Sequence, residues 1–278
     1  RVHIRDDGST DGTKDLIKEL ASEYGNITYE LCSNAGWRLG FIEALKQCAG
    51  YDWYAFCDQD DVWLPEKLES ALTLLDGKGH VNHPAVYAGN ATIVDAKLNP
   101  IKLFNESPVD IIGKDFPHTF TMDEMAGGLT YVFNGVARDL LVEFEYPGLT
   151  GHDRLLMLIC KLFGEVVYDF SPYVLYRQHG DNAIGGIAPP SKKMGVLDRV
   201  KNVLRPDVRQ RGLLSKGLLA IEGAGFRLNS EEKNYLKLCA DCKTRFSSRM
   251  RLLFIRNIGS YSYIQDIKLR VRILLGTY

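Results

Sequence analysis

Residues 52–63 read DWYAFCDQDDVW: an aromatic, apolar run that stops at three carboxylates, Asp58, Asp60 and Asp61. The run has the composition of a buried strand. Downstream, Pro65 sits where proline favours a helix start, and the pattern predicts a helix to about Leu75 and then a strand over Val86 to Val94. Upstream, Val2 and Ile4 read as a strand running into a second acidic turn, Asp6-Asp7-Gly8-Ser9. A helix over Leu16 to Tyr24 follows, with Asp11 or Thr13 as its cap, then a strand over 27–32 and a helix from Phe41 to Cys48. Strands alternating with helices of about ten residues predict an α/β fold, a mostly parallel sheet flanked by helices on both faces. A strand entering at residue 1 leads us to expect a further strand and helix ahead of it. In open α/β sheets ligands bind beyond the carboxyl ends of the strands, so both acidic turns are expected on one edge.

The stretch 98–135 is less periodic, punctuated by Pro100, Pro108, Gly113 and Pro117, and reads as loops or short strands. Asp153 to Phe163 is a strongly apolar helix and Val166 to Asp169 a short strand. Past Gly185–Pro190 the texture turns helical, basic and amphipathic, so the chain divides into 1–188 and 189–278. Asn229 and Glu232 frame a capping box there.

With 45% hydrophobic and 25% charged residues in 278, the chain is neither disordered, collagenous nor a disulfide-stapled miniprotein. The net charge of -1 hides an asymmetry: residues 191–278 carry 19 Lys+Arg against 7 Asp+Glu, and residues 1–190 carry 15 against 28. The acidic body argues against nucleic acid as a partner. Lys192, Lys193, Arg199, Lys201 and the 249–256 and 268–272 stretches interleave with apolar residues. Such helices either lie on an anionic bilayer or pack on one another or on a twin subunit, as in a homodimer. The cysteines sit mostly in apolar stretches and read as buried thiols of a cytoplasmic protein, peripheral on the inner face of the membrane if the tail docks there.

Three carboxylates in four positions repel one another unless a cation or ordered donors compensate. Oxygen-only ligands suit Mg2+ or Mn2+. The alternative is a solvated loop in which Asp61 caps the following helix.

The ordered series DDGSTDGT at 6–13, Asn34-Ala-Gly36, DQDDVW at 58–63, Gly151-His152-Asp153 and Tyr176-Arg-Gln-His-Gly180 resembles the family 2 glycosyltransferases of GT-A, Rossmann-like fold, over about residues 1–185. DQDDVW with YRQHGDN is similar to the rhamnosyltransferase-like subset that builds bacterial surface polysaccharides. The resemblance implies an inverting, metal-dependent transfer from a nucleoside diphosphate sugar, dTDP-rhamnose first and UDP-sugars second, to a glycan or lipid-linked acceptor. It places Asp6 or Asp7 against the nucleotide base, although both also fit a plain Asx turn. Arg38 and Arg177 then face phosphate, Asp58 the ribose, and Asp60 and His179 the metal. Asp153 becomes the general base, with His152 where the family commonly has an acid; as a bare motif, Asp153 also reads as a helix cap. Two rivals are a nucleotidyltransferase, whose usual glycine-rich and basic phosphate loop residues 1–30 lack, and a non-catalytic glycan-binding or scaffold module.

Overall fold

The computed structural model describes residues 1–76, 82–106, 127–144, 151–178, 211–223, 225–255 and 263–276. In chain order these form β1 (Val2–Asp6), α1 (Thr13–Glu23), β2 (Ile27–Leu31), α2 (Trp37–Lys46), β3 (Trp53–Ala55), β4 (Val62–Trp63), α3 (Lys67–Leu75), β5 (Ala85–Val94) and β6 (Pro100–Leu103). After a 3-10 turn at Gly128–Thr130 come β7 (Val132–Asn134), α4 (Gly135–Glu143), α5 (His152–Phe163), β8 (Glu165–Arg177), α6 (Arg211–Gly223), α7 (Ser230–Asp241), α8 (Phe246–Leu253) and α9 (Tyr263–Leu275). The boundary at 188 and Lys192, Lys193, Arg199, Lys201, Arg256 and His179 lie outside the described residues.

β1 and β2 pair in parallel, and the remaining described strands form a sheet in the order β3-β7-β5-β8-β4, with β6 alongside β5. The α/β architecture is as expected, but the sheet is mixed rather than mostly parallel. Beside the parallel β5–β8 ladder, β7 runs antiparallel to both β3 and β5, β4 antiparallel to β8, and β6 antiparallel to β5. The reason lies in the punctuated middle of the chain. β6 returns on β5 through the Asp95–Asn99 turn, where Asp95 Oδ1 accepts from the amides of Lys97 and Asn99. β7 comes after that excursion and enters the sheet from its opposite end.

This order sets the site. β3 lies at one edge of the sheet and β4 at the other, so residues 56–61 cross four strand spacings, about 19 Å in a flat sheet. Within that crossing the Asp61 amide lies 3.5 Å from the Asp58 carbonyl, so the acidic segment closes a turn there. β4 pairs Val62 with Leu175 and Trp63 with Val174, and the Leu64 amide donates to the Tyr173 carbonyl at 2.9 Å, which pins the far end.

Buried Asn134 joins three elements: its side chain caps α4 through the Ala137 amide, accepts from the Ala85 amide and donates to the His83 carbonyl, each at 3.0 Å. The main core runs from Ile42, Phe56 and Phe133 through the apolar α5 into the C-terminal helices, through Leu214, Leu218, Tyr235, Leu236, Leu252 and Ile273. The buried apolar residues of the described C-terminal helices are thus packed against the α/β body. Asn229 and Glu232 form the expected capping box at the start of α7.

Gly217 of α6 lies so close to the Phe144 ring that a Cβ there would overlap it. Gly217→Ala is expected to destabilise the protein by about 1–3 kcal/mol. Calorimetry should show one cooperative transition shifted to lower temperature, not a separate early melting of the tail.

Candidate active site

The first acidic turn is organised by its own side chains. Asp6, buried at the end of β1, accepts from the Gly8 and Ser9 amides, both at 3.1 Å, and the Asx turn expected as an alternative is realised there. The Ser9 side chain and those two amides hold the Asp6 carboxyl below the usual carboxylate range. Gly8 takes a φ of 97°, the left-handed turn that glycine adopts without strain. Asp7 is bound through Oδ1 to Arg5 Nε at 2.7 Å and through Oδ2 to the Ala35 amide at 3.2 Å. It therefore ties the end of β1 to the loop that begins α2. Asn34 Oδ1 bends that loop by accepting from the Gly36 amide at 2.7 Å. A concavity of about 240 Å3 opens at the start of α2, lined by residues 35–39, with no side chain capping the helix. Arg38, at its mouth, lies 5.1 Å from the centre of the Trp37 ring. An uncapped helix start beside an arginine favours an anionic ligand.

The second acidic turn bears the site's charge. Burial, then the charges of Asp60 and Asp153, raise the Asp58 carboxyl to about 6. Asp153, nearly a hundred residues away in sequence, therefore shares one electrostatic field with Asp58. Burial raises Asp61 to about 7 even though its Oδ1 accepts from the Arg177 amide at 3.0 Å; its Oδ2 is buried with no hydrogen-bond partner. Asp61 thus does not cap α3, whose N-cap is Glu66.

Arg177, the residue expected to face phosphate, bonds here to two backbone carbonyls. Its Nε donates to the Asp60 carbonyl at 2.8 Å and its Nη1 to the Ala96 carbonyl at 3.0 Å, so it staples the acidic turn to the end of β8. Lys67, only 1% exposed, sits beneath the turn with Nζ 3.4 Å from the centre of the Trp63 ring and no hydrogen-bond partner. Burial lowers it to about 7 against the pull of Cys57 and Asp61. The sequence reading passed over this lysine. Its signal was there: Lys67 shares a helical stripe with Ala71 and Leu75, both fully buried.

Asp153 is the second residue of α5, not its cap; that position belongs to Gly151. Its Oδ1 accepts from the Arg154 amide at 2.8 Å. Two glycines leave room for it: a Cβ on Gly128 would stand 2.7 Å from the Asp153 Cβ, and one on Gly151 would collide with its carboxylate. His152 is buried in an aromatic box, 4.2 Å from Phe41 and 4.5 Å from Phe56 between ring centres, with Trp37 edge-on at 6.5 Å. Burial lowers it to about 4, so it is neutral near pH 7 and packs at the start of α5. The structure thus brings together Asp58, Asp60, Asp61 and Asp153.

Among the described residues no group of three or more His, Cys, Asp or Glu is placed to hold a metal ion. The donor chemistry nevertheless fits a hard cation. Asp58 and Asp61 are strained toward protonation by burial and mutual charge, and the second oxygen of Asp61 lacks a partner.

Asp58 and Asp61 have folded pKa values above the unfolded value near 3.8, so the folded state holds more protons between about pH 4 and 7. Stability from these groups is present at low pH and falls as pH rises through that window. The melting temperature of ligand-free protein is expected to drop by a few degrees from pH 5 to pH 7, and Asp61→Asn to remove much of that drop.

Residues 1–134 match the family described as Glycosyl transferase family 2. The chain is 24% identical over 272 residues to the dTDP-rhamnosyl transferase RfbG of Shigella flexneri, covering 85% of this chain and 89% of that protein. It is 30% identical over 97 residues to the uncharacterized glycosyltransferase alr2836 of a Nostoc species, 34% of this chain and 30% of that one. Both acidic turns lie inside the residues that match family 2, on the α/β fold which that family implies, and together with the Shigella relative the match supports a glycosyltransferase.

Proposed function

We propose that the enzyme is an inverting transferase that moves rhamnose from dTDP-rhamnose, with UDP-sugars as second donors, to a glycan or lipid-linked acceptor in bacterial surface polysaccharide synthesis. The single observation that carries the reading is the coupling of Asp153 to Asp58 beside the uncapped start of α2. The dTDP-rhamnosyl transfer for which the Shigella relative is named supports the choice of sugar and nucleotide.

The roles follow from position. Asp6 and Asp7 shape the rim that takes the nucleotide base, with Asp7 fixing its distance from the 34–36 loop. Arg38 and the free amides of α2 face the diphosphate, and Asp58 the ribose. Asp60, with Asp61 as the lesser ligand, would hold Mn2+ or Mg2+; such an ion supplies Lewis-acid stabilisation of the negative charge that grows on the leaving diphosphate. Arg177 positions the acidic turn through the Asp60 carbonyl.

Asp153 takes the proton from the acceptor hydroxyl. The freed oxygen lone pair forms the new bond to the anomeric carbon from the face opposite the leaving group. The bond from that carbon to the phosphate oxygen breaks, and its electron pair leaves with the nucleoside diphosphate. The neutral, boxed His152 holds the carboxylate at the acceptor side without competing for the proton.

Asp153→Asn is expected to lower kcat by about 10²- to 10⁴-fold with donor binding retained. Asp60→Asn is expected to cost about 10²-fold or more and to abolish the thermal stabilisation by Mn2+ expected with donor in the parent protein. A donor panel tests the sugar: at 100 times its dissociation constant a ligand adds about 2.7 kcal/mol of stability. Stabilisation by UDP-hexoses and not by dTDP-rhamnose would overturn the rhamnose assignment.

A further inference from the structure

Among the described residues of the C-terminal helices, the most exposed large apolar side chains are two phenylalanines of the α8 segment, ahead of Leu213, Ile267, Leu274 and Leu275 elsewhere. In α8, Ser248 and Leu252 face inward and are buried. At about 100° per residue, Phe246, Met250 and Phe254 fall on the opposite side of that helix. The two phenylalanines are 69% and 81% exposed. Arg249 and Arg251 lie on the two flanks of the stripe, and exposed Lys243 and Arg245 precede it, Arg245 also 3.6 Å from Asp241.

The outward ring of Phe254 is not at a loose end. Its amide bonds back to the Arg251 and Leu252 carbonyls, and Arg270 of α9 donates to the carbonyls of Leu253 and Ile255 on either side of it. A half-buried guanidinium thus holds the turn that directs an aromatic ring outward. Residues 242–278 carry eight Lys+Arg and a single acidic residue, Asp266.

We propose that α8 is a docking ridge for an anionic lipid bilayer, with Phe246 and Phe254 entering the boundary between headgroups and acyl chains and Arg251 and Lys243 meeting lipid phosphates. The charge chooses this occupant. Protein interfaces deplete charge at their core, whereas an interfacial helix pairs aromatic wedges with basic flanks. A ridge whose most outward groups are isolated rings also offers no groove to seat a partner helix. The surface would bring the enzyme to lipid-linked acceptors, but it stands on its own geometry and does not rest on the donor assignment.

The test is flotation of the full chain with phosphatidylcholine vesicles, with and without phosphatidylglycerol. The parent should float with the anionic vesicles alone. Phe246→Ser/Phe254→Ser should weaken partitioning about tenfold or more. Arg251→Gln should weaken it roughly fivefold. Both variants should melt as the parent does, since the altered groups are exposed. As an independent reading, the emission of Phe254→Trp should shift to the blue on anionic vesicles. Equal flotation of parent and double variant, equal binding to neutral vesicles, or a tryptophan that stays in water would overturn the proposal. So would light scattering that shows the phenylalanines joining two copies of the chain without vesicle binding. The readout needs neither donor nor acceptor, so its failure leaves the transfer mechanism standing, and inactivity of Asp153→Asn does not bear on it.

Discussion

Negative charge held close together at the end of a sheet governs this protein. Asp58, Asp60 and Asp61 would repel one another and the turn would splay if the chain did not hold both its ends. β3 anchors one end and β4 the other, across the width of the sheet. Arg177 grips the middle through the Asp60 carbonyl while its own amide serves Asp61. A buried lysine against Trp63 lies beneath. Each of these holds the backbone, so the carboxylates remain available while their geometry does not depend on a ligand. Burial without full compensation is what lifts Asp58 and Asp61 toward neutrality. A site in that condition favours cationic or hydrogen-bond-donating ligands, because they remove a cost the fold already bears.

Asp153 owes its place to small neighbours. Any side chain on Gly128 or Gly151 would enter its space. Next to it in the chain, His152 is enclosed by Trp37, Phe41 and Phe56. Trp37 and Phe41 belong to α2, so the starts of α2 and α5 stand on one aromatic support. A change of packing in that box would reach both helix starts.

The two charge regimes of the chain now have separate addresses. Four carboxylates of the acidic body, Asp58, Asp60, Asp61 and Asp153, share the field of the second acidic turn. The basic tail is mostly core on its inner faces, joined to Phe144 and α5, and shows its arginines and two phenylalanines outward on α8. Because one core connects them, a surface bound at α8 is held rigidly relative to the site.

The sequence by itself determined the α/β alternation, the two acidic turns at strand ends, the carboxylate at the head of an apolar helix and the charge division. All are local: strand and helix periodicity, turn residues and composition depend on neighbours a few positions apart. It offered Asp153 as a base or as a helix cap, and the fold decides the second alone, since Gly151 holds the cap position. Tertiary structure alone decided the rest. The antiparallel pairings of β4, β6 and β7 depend on how short segments return to the sheet, and strands of two to four residues carry too little periodicity to declare their partners. A guanidinium in a polar turn has no local sign of which carbonyl it will meet, and Arg177 meets that of Asp60, 117 residues away. The neutrality of His152 comes from the rings packed around it, which the sequence around it does not name. Long-range contacts set burial, and burial sets charge, which is why the residue types could be named from the sequence and several of their roles only from the fold.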